Sequence, residues 1–187
     1  MIKHKYTGDI KTDVKSVLYA NNKAKTYEHV KAVAEMNIKI AEQYGLDKGI
    51  CELCGYLHDI SAVFSPSFML EYAMKNGWYI DESERKFPMI LHQRISRVIV
   101  QEDFGITDER ILSAVEHHTA LKANPSPYDM AVFVADKLAW DQEAIRRFMR
   151  SLATLSNTRW KRLRWHIWTI SWSIKLYFIH TNGLKKV

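Results

Sequence analysis

Two cysteines in 187 residues, three positions apart, cannot form a disulfide framework. Seven glycines and four prolines are too few for a collagen-like or low-complexity chain. No apolar run approaches the roughly 18 residues that a membrane-crossing helix needs. The opening stretch MIKHKYTGDIKTDV mixes charge with polarity and has no apolar core, so it does not read as a signal peptide. A cytoplasmic location is the default expectation. What is present is ordinary for a globular protein: 47% hydrophobic and 26% charged residues. A chain of this size buries roughly 70% of its unfolded surface on folding.

Acidic residues are missing from one part only. Residues 1–143 hold 17 Lys and Arg against 21 Asp and Glu, whereas residues 144–187 hold 10 basic residues and no acid. Trp160, Trp165, Trp168 and Trp172 fall in that second part. The formal net charge of +6 therefore describes the tail rather than the whole.

Residues 1–143 read as consecutive helices with explicit punctuation, an all-α single domain. Asp9 to Ala20 forms a short amphipathic stretch. Thr26 reads as an N-cap, and Val30, Val33, Ala34, Ile38 and Ala41 keep a helical period up to a stop at Gly45. Asp47 opens a helix through Cys51, Cys54 and Leu57, and Ser65-Pro66 opens another that closes at Asn76-Gly77. Asp81-Glu82-Ser83-Glu84 reads as a solvated loop. Pro88 starts a helix running to Gly105, Thr107 the next, and Ser126-Pro127 the last clear one. No Asn-Gly hairpin or sustained alternation points to strands.

Four histidines, His29, His58, His92 and His118, stand where separate helices could converge. Asp59 follows His58 directly, and Asp136 lies in a later helix. The spacing is 29 residues from His29 to His58, 33 from Asp59 to His92, 26 to His118 and 18 to Asp136. Helical bundles build metal sites from side chains on facing helices in this way. A His-Asp doublet alone is weak evidence, because chance supplies many. The ordered set with apolar flanks, in GYLHDI, PMILHQ, AVEHHT and FVADK, is stronger, since buried polar groups need a reason to be there. Imidazole and carboxylate without thiolate favour Fe, Mn, Co or Zn in a non-structural site. Neighbouring helical side chains diverge by about 100°, so His58 could serve one metal while Asp59 reaches between two. Two cations about 3.5–4 Å apart activate water at neutral pH and neutralise phosphoryl charge. Cys51-Glu52-Leu53-Cys54 lacks the further ligands of a zinc site and the βαβ context of a redox motif, so both cysteines read as small buried hydrophobes.

TYEHVKAV, GYLHDIS, ILHQ, AVEHHT and FVADK together resemble the HD-domain phosphohydrolases, and within them the YqeK-like branch of bacterial symmetrical bis(5′-nucleosyl)-tetraphosphatases. The likeness runs from about Ala24 to Gln142. It implies a helical bundle with a dinuclear centre, read as di-iron, that cleaves diadenosine tetraphosphate into two ADP. By that resemblance His29, His58, Asp59 and Asp136 would hold one metal, and Asp59, His92 and His118 the other. His118 rather than His117 matches the ligand position, because it directly precedes Thr119. Asp59 would be the catalytic anchor, with Thr119, Lys122 and Lys137 holding phosphate.

The sequence departs from the family pattern at three places. Ala62 stands where a Lys is common, and Ala120, Leu121 and Lys122 replace Thr-Gly-Arg. Ala139, Trp140, Asp141 and Gln142 replace Glu-Pro-x-Arg. Two of these remove cations that would meet phosphate, and the third loses a bidentate fork. Lys122, Lys137, Arg94 and Arg97 are the candidates to supply the missing charge. The alternatives are another nucleotide phosphohydrolase or phosphodiesterase, or a nucleotide-sensing or nucleic-acid-binding protein with a vestigial metal site. A nucleotide is the expected partner; a homodimer is compatible with the sequence, and nucleic acid would bind only through the basic tail.

Residues 144–187 do not resemble the family. A basic aromatic helix pair is one reading, and a nucleic-acid or membrane-surface segment is another. A shifted reading frame fits better. Codons exist for which this stretch, read two bases later, yields an acidic amphipathic string beginning TPFYEVVSDALEHSLEAA, which looks like the C-terminal helices of the YqeK-like proteins.

Overall fold

The computed structural model describes residues 1–140, in which every regular element is helical. The chain divides after Gln142. The shifted-frame expectation falls on residues 144–187, outside the described residues.

Helix α1 spans Ile10–Ala20 and is capped by Asp9, whose carboxylate accepts from Thr12 N at 2.7 Å. A tight reversal through Asn22, in the left-handed region at φ 58°, leads into α2, Ala24–Tyr44. Thr26 is therefore not the cap. The helix begins two residues earlier, because Lys23 N bonds back to Leu18 O and Tyr27 N already closes on Lys23 O. Gly45 ends α2 at φ 69°, as a left-handed terminus requires. Asp47 caps α3, Lys48–Leu57, through Ile50 N.

A 3₁₀ turn over Ile60–Val63 follows, then α4, Pro66–Lys75, with Ser65 as cap and proline in its first turn. The acidic segment is not a solvated loop. It forms the short helix α5, Glu82–Lys86, closed by a capping box: Asp81 accepts from Glu84 N, and Glu84 accepts from Asp81 N. Glu84 is largely buried and pairs with Arg94 at 3.0 Å, a tertiary partner that local sequence does not reveal. Pro88 opens a 3₁₀ turn to Leu91 rather than the helix itself. Helix α6 then runs His92–Glu102. Asp108, not Thr107, caps α7, Glu109–Glu116, and α8 covers Pro127–Trp140.

Val30, Val33, Ala34 and Ala41 of α2 are buried. They meet the buried face of α3, on which Cys51, Cys54 and Leu57 lie. Both cysteines are free thiols inside this core, where burial pushes Cys51 up to about 12 and Cys54 well above its ordinary value. The helix pair approaches closely at Gly55, which lies against the backbone of Ala34. Helix α8 packs on α2, α7 and α3, and α6 packs on α7 and on the 3₁₀ turn after Asp59. Helices α2 and α8 pass through the region where α3 and α7 end and α6 begins, which sets the place of the site.

Candidate metal centre

Five of the helices, α2, α3, α6, α7 and α8, and the turns that follow α3 and α7 bring the site together. His29 projects from α2 and Asp136 from α8; His58 caps the end of α3; His92 is the first residue of α6; His118 lies just beyond α7. Asp59 is not helical as the sequence suggests. It occupies the turn between α3 and the 3₁₀ segment at φ −107° and ψ 20°, which frees its carboxylate to reach across the cluster.

The imidazoles are locked from behind. His58 Nδ1 donates to Gly55 O at 2.8 Å, His92 Nδ1 to Met89 O at 2.6 Å and His118 Nδ1 to Val115 O at 2.7 Å. A carbonyl can only accept, so each Nδ1 carries the hydrogen and each neutral ring presents a bare lone pair at Nε2. Those lone pairs converge on one another and on carboxylates. His92 Nε2 stands 3.0 Å from His118 Nε2, and Asp59 Oδ1 lies 3.6 and 3.4 Å from the two. On the other side, Asp59 Oδ2 lies 3.6 Å from His58 Nε2 and 3.9 Å from His29 Nε2. Asp136 Oδ1 is 3.1 Å from His29 Nε2 and 3.7 Å from His58 Nε2. The two oxygens of Asp59 thus face two separate donor groups.

This donor set fits cations. Two donors bound to one ion at about 2.1 Å stand about 3.0–3.6 Å apart, which is the range observed around Asp59 Oδ1. His58 Nε2 is fully buried and without a hydrogen-bond partner, an arrangement that costs free energy unless a cation satisfies the lone pair. Burial also lowers the His58 pKa, against the pull of Asp59, and so keeps the ring neutral. Burial by itself would raise Asp59, yet His58, His118 and His92 around it hold its carboxyl well below the ordinary range. Asp136 is likewise lowered against burial, by its hydrogen bond to His29 and by the neighbouring His58 and Lys137. Two groups, His29 with His58 and Asp136, and His58 with Asp59 and His118, can each hold a metal ion.

The six residues expected as ligands all meet here. His117 does not join them; its Nδ1 donates to Ser113 O at the end of α7. Thr119 Oγ1 is 3.0 Å from His92 Nε2, and Lys137 Nζ donates to Asp136 Oδ2 at 2.7 Å, so both border the cluster. Lys122 is differently placed. Its ammonium donates to Ser113 Oγ and lies 3.4 Å from Asp129, a wholly buried carboxylate that also accepts from Ser113 and from Ser126 N. Arg94 pairs with Glu84, and Arg97 with Glu109 and Glu116.

Sequence reasoning missed the side chains that hold the ligands in place. Ser61 Oγ donates to His92 O at 2.8 Å and accepts from Ser96 Oγ at 2.9 Å, tying the turn after Asp59 to α6. Gln93, directly after His92, reaches the backbone just past His118. A polar residue on an otherwise apolar helix face is their one trace in the sequence, and it names no partner.

Similarity to known proteins agrees with this geometry. The HD domain family model matches residues 26–141. A Lactococcus lactis subsp. cremoris protein described as an uncharacterized protein in the pepC 5′ region is 40% identical over 109 residues, covering 58% of this chain and 56% of the relative. The symmetrical bis(5′-nucleosyl)-tetraphosphatase of Staphylococcus aureus is 33% identical over 116 residues, 60% of this chain and 57% of the relative. Its counterpart from Bacillus subtilis is 26% identical over 110 residues, 59% of each. The chain therefore spans somewhat more than half the length of the curated relatives it matches. A crystal structure of a predicted HD superfamily hydrolase involved in NAD metabolism, from Clostridium acetobutylicum, shares the fold with a TM-score of 0.71 at 19% identity, over 92% of this chain and 88% of that one. Since the family model takes in all six converging side chains and most of the sequence, this chain belongs to the HD-domain family.

Proposed function

We propose that the protein is a metal-dependent phosphohydrolase that cleaves nucleoside polyphosphates, with diadenosine tetraphosphate cut symmetrically into two ADP as its reaction. The observation that carries the reading is the split carboxylate of Asp59, one oxygen facing His92 and His118 and the other His58 and His29. Two ions, iron or else Mn, Co or Zn, would be held by His29, His58, Asp59 and Asp136 and by Asp59, His92 and His118. When bound, such ions activate water at neutral pH and offset charge on a phosphoryl group. The Staphylococcus and Bacillus relatives, both named symmetrical bis(5′-nucleosyl)-tetraphosphatases, support this substrate class without fixing it.

The chain's own residues shape the rest. Carbonyls of Gly55, Met89 and Val115 keep the Nδ1 hydrogens and so aim each Nε2 inward. Lys137 occupies Asp136 Oδ2 and leaves Oδ1 to the His29 side. The Thr119 hydroxyl donates to His92 Nε2; once that lone pair is engaged elsewhere, its hydrogen is available to a phosphate oxygen. In the overall reaction water adds across the central anhydride, its OH to one phosphorus and its remaining hydrogen to the departing phosphate oxygen. The six candidate ligands lie between His29 and Asp136, inside the described residues.

One observation favours a second reading, hydrolysis of a mononucleotide or shorter phosphate ester. Lys122, Arg94 and Arg97 are each already paired with a carboxylate, which leaves less positive charge for a tetraphosphate. Ion-exchange analysis of the products formed from diadenosine tetraphosphate by Fe- or Mn-loaded protein separates the two. Two ADP is the expected result. AMP with ATP contradicts the symmetric cut, and no turnover by metal-loaded protein moves the assignment to the second reading.

A further inference from the structure

The two imidazoles on the Asp59 Oδ1 side come from elements with different kinds of support. His92 begins α6, whereas His118 lies past the last residue of α7, in an irregular stretch that continues to Ser126. Backbone amides there have no helical partners, so something else must fix the chain that carries His118. At the far end of this stretch Asp129 accepts from Ser126 N at 2.7 Å. At the near end Gln93 does the equivalent work. Its side chain is 7% exposed, and its Oε1 accepts from both Thr119 N at 3.3 Å and Ala120 N at 3.2 Å. Two N–H donors meet one atom, so that atom is the amide oxygen.

Gln93 is thereby joined covalently to His92 and by hydrogen bonds to the residue after His118. It forms a short brace between the chain segments whose Nε2 atoms stand 3.0 Å apart. On the opposite side of the centre, His29 and His58 are carried by the packed helices α2 and α3 and do not depend on this brace.

We propose that Gln93 is a positioning residue that sets the spacing of His92 and His118, and that losing it weakens metal binding selectively on that side of the centre. The inference rests on the metal-centre reading above. An outer partner that orients ligands typically changes metal affinity by about 10–100-fold, and a change of that size is expected here.

The test uses the full chain, titrated with Mn²⁺ by calorimetry, as wild type, Gln93→Leu and Gln93→Glu. Leucine keeps the volume and removes the acceptor, while glutamate keeps an oxygen for both amides. The expected result is two ions in the wild type, one of them bound at least about tenfold more weakly in Gln93→Leu, and recovery in Gln93→Glu. Unchanged affinities in Gln93→Leu, or equal weakening of both ions, overturns the inference while leaving the metal centre intact. A wild type that takes up no Mn²⁺ instead overturns the metal-centre reading. Amide exchange in metal-free protein gives a separate readout that does not require the leucine variant to be stable. Thr119 and Ala120 amides should be protected in the wild type and in Gln93→Glu; free exchange at both in the wild type overturns the brace.

Discussion

Asp59→Asn should empty the centre. The substitution keeps the volume of the side chain but removes the negative charge that both donor groups share, and replaces one oxygen by an NH₂ that cannot ligate. On the Oδ1 side the change leaves two imidazoles 3.0 Å apart with no carboxylate between them, and on the Oδ2 side it withdraws the anion facing His58 and His29. The loss of turnover should exceed the about 10–100-fold typical of removing an outer hydrogen-bond partner, because a shared ligand is lost. Asp59→Ala should abolish metal-dependent turnover outright. Helix content should persist in both variants, since Asp59 lies in a turn and caps no helix through its side chain. Metal analysis beside far-ultraviolet circular dichroism checks this. Full activity with retained metal in either variant would refute the role given to Asp59.

Gly55→Ala should act on the same centre through packing. A Cβ at Gly55 would stand 2.4 Å from Ala34 Cα and 2.6 Å from Ala34 N, and neither is a flexible side-chain end that could move aside. Helices α2 and α3 must therefore separate. Overpacking of this kind costs about 1–3 kcal/mol, which corresponds to a fall in Tm on the order of 3–10 °C for a domain of this size. The damage should extend to metal binding. Helix α2 carries His29, α3 ends at His58, and the Gly55 carbonyl itself holds His58 Nδ1. Gly49→Ala on the same helix is the control. Its Cβ would meet only the Asp47 side chain, at 3.3 Å, so thermal melting should show a much smaller shift. Equal melting temperatures for Gly55→Ala and wild type would show that the helix pair adapts without cost.

These two positions also mark what the sequence could and could not disclose. Helix starts with strong local chemistry are legible. Asp47 and Ser65 cap as their positions suggest, and Gly45 ends α2 in the left-handed conformation. Starts governed by the preceding chain reversal are not, which is why α2 begins ahead of Thr26. The capping box at Asp81 and Glu84 was present in the sequence as D-x-x-E, but its five-residue helix is fixed by the Glu84–Arg94 pair, a tertiary contact.

In the site, the six side chains stand out because each is a histidine or aspartate among apolar neighbours, and such residues seldom converge without a ligand to satisfy them. Their orientation was not legible. It depends on carbonyls three residues away, on Ser61 and Ser96, and on Gln93, none of which carries a signal beyond ordinary polarity. Lys122 shows the opposite limit. A cation next to a ligand motif suggests phosphate binding, yet Asp129, seven residues further on and fully buried, draws its charge.

Metal content of the purified 187-residue chain tests the central claim most directly. After loading with Mn²⁺ or Fe²⁺ and removal of free metal, elemental analysis should find two ions per chain, and fewer than one in Asp59→Ala. A wild-type chain that retains no metal, or an Asp59→Ala chain that retains as much as the wild type, would contradict the account.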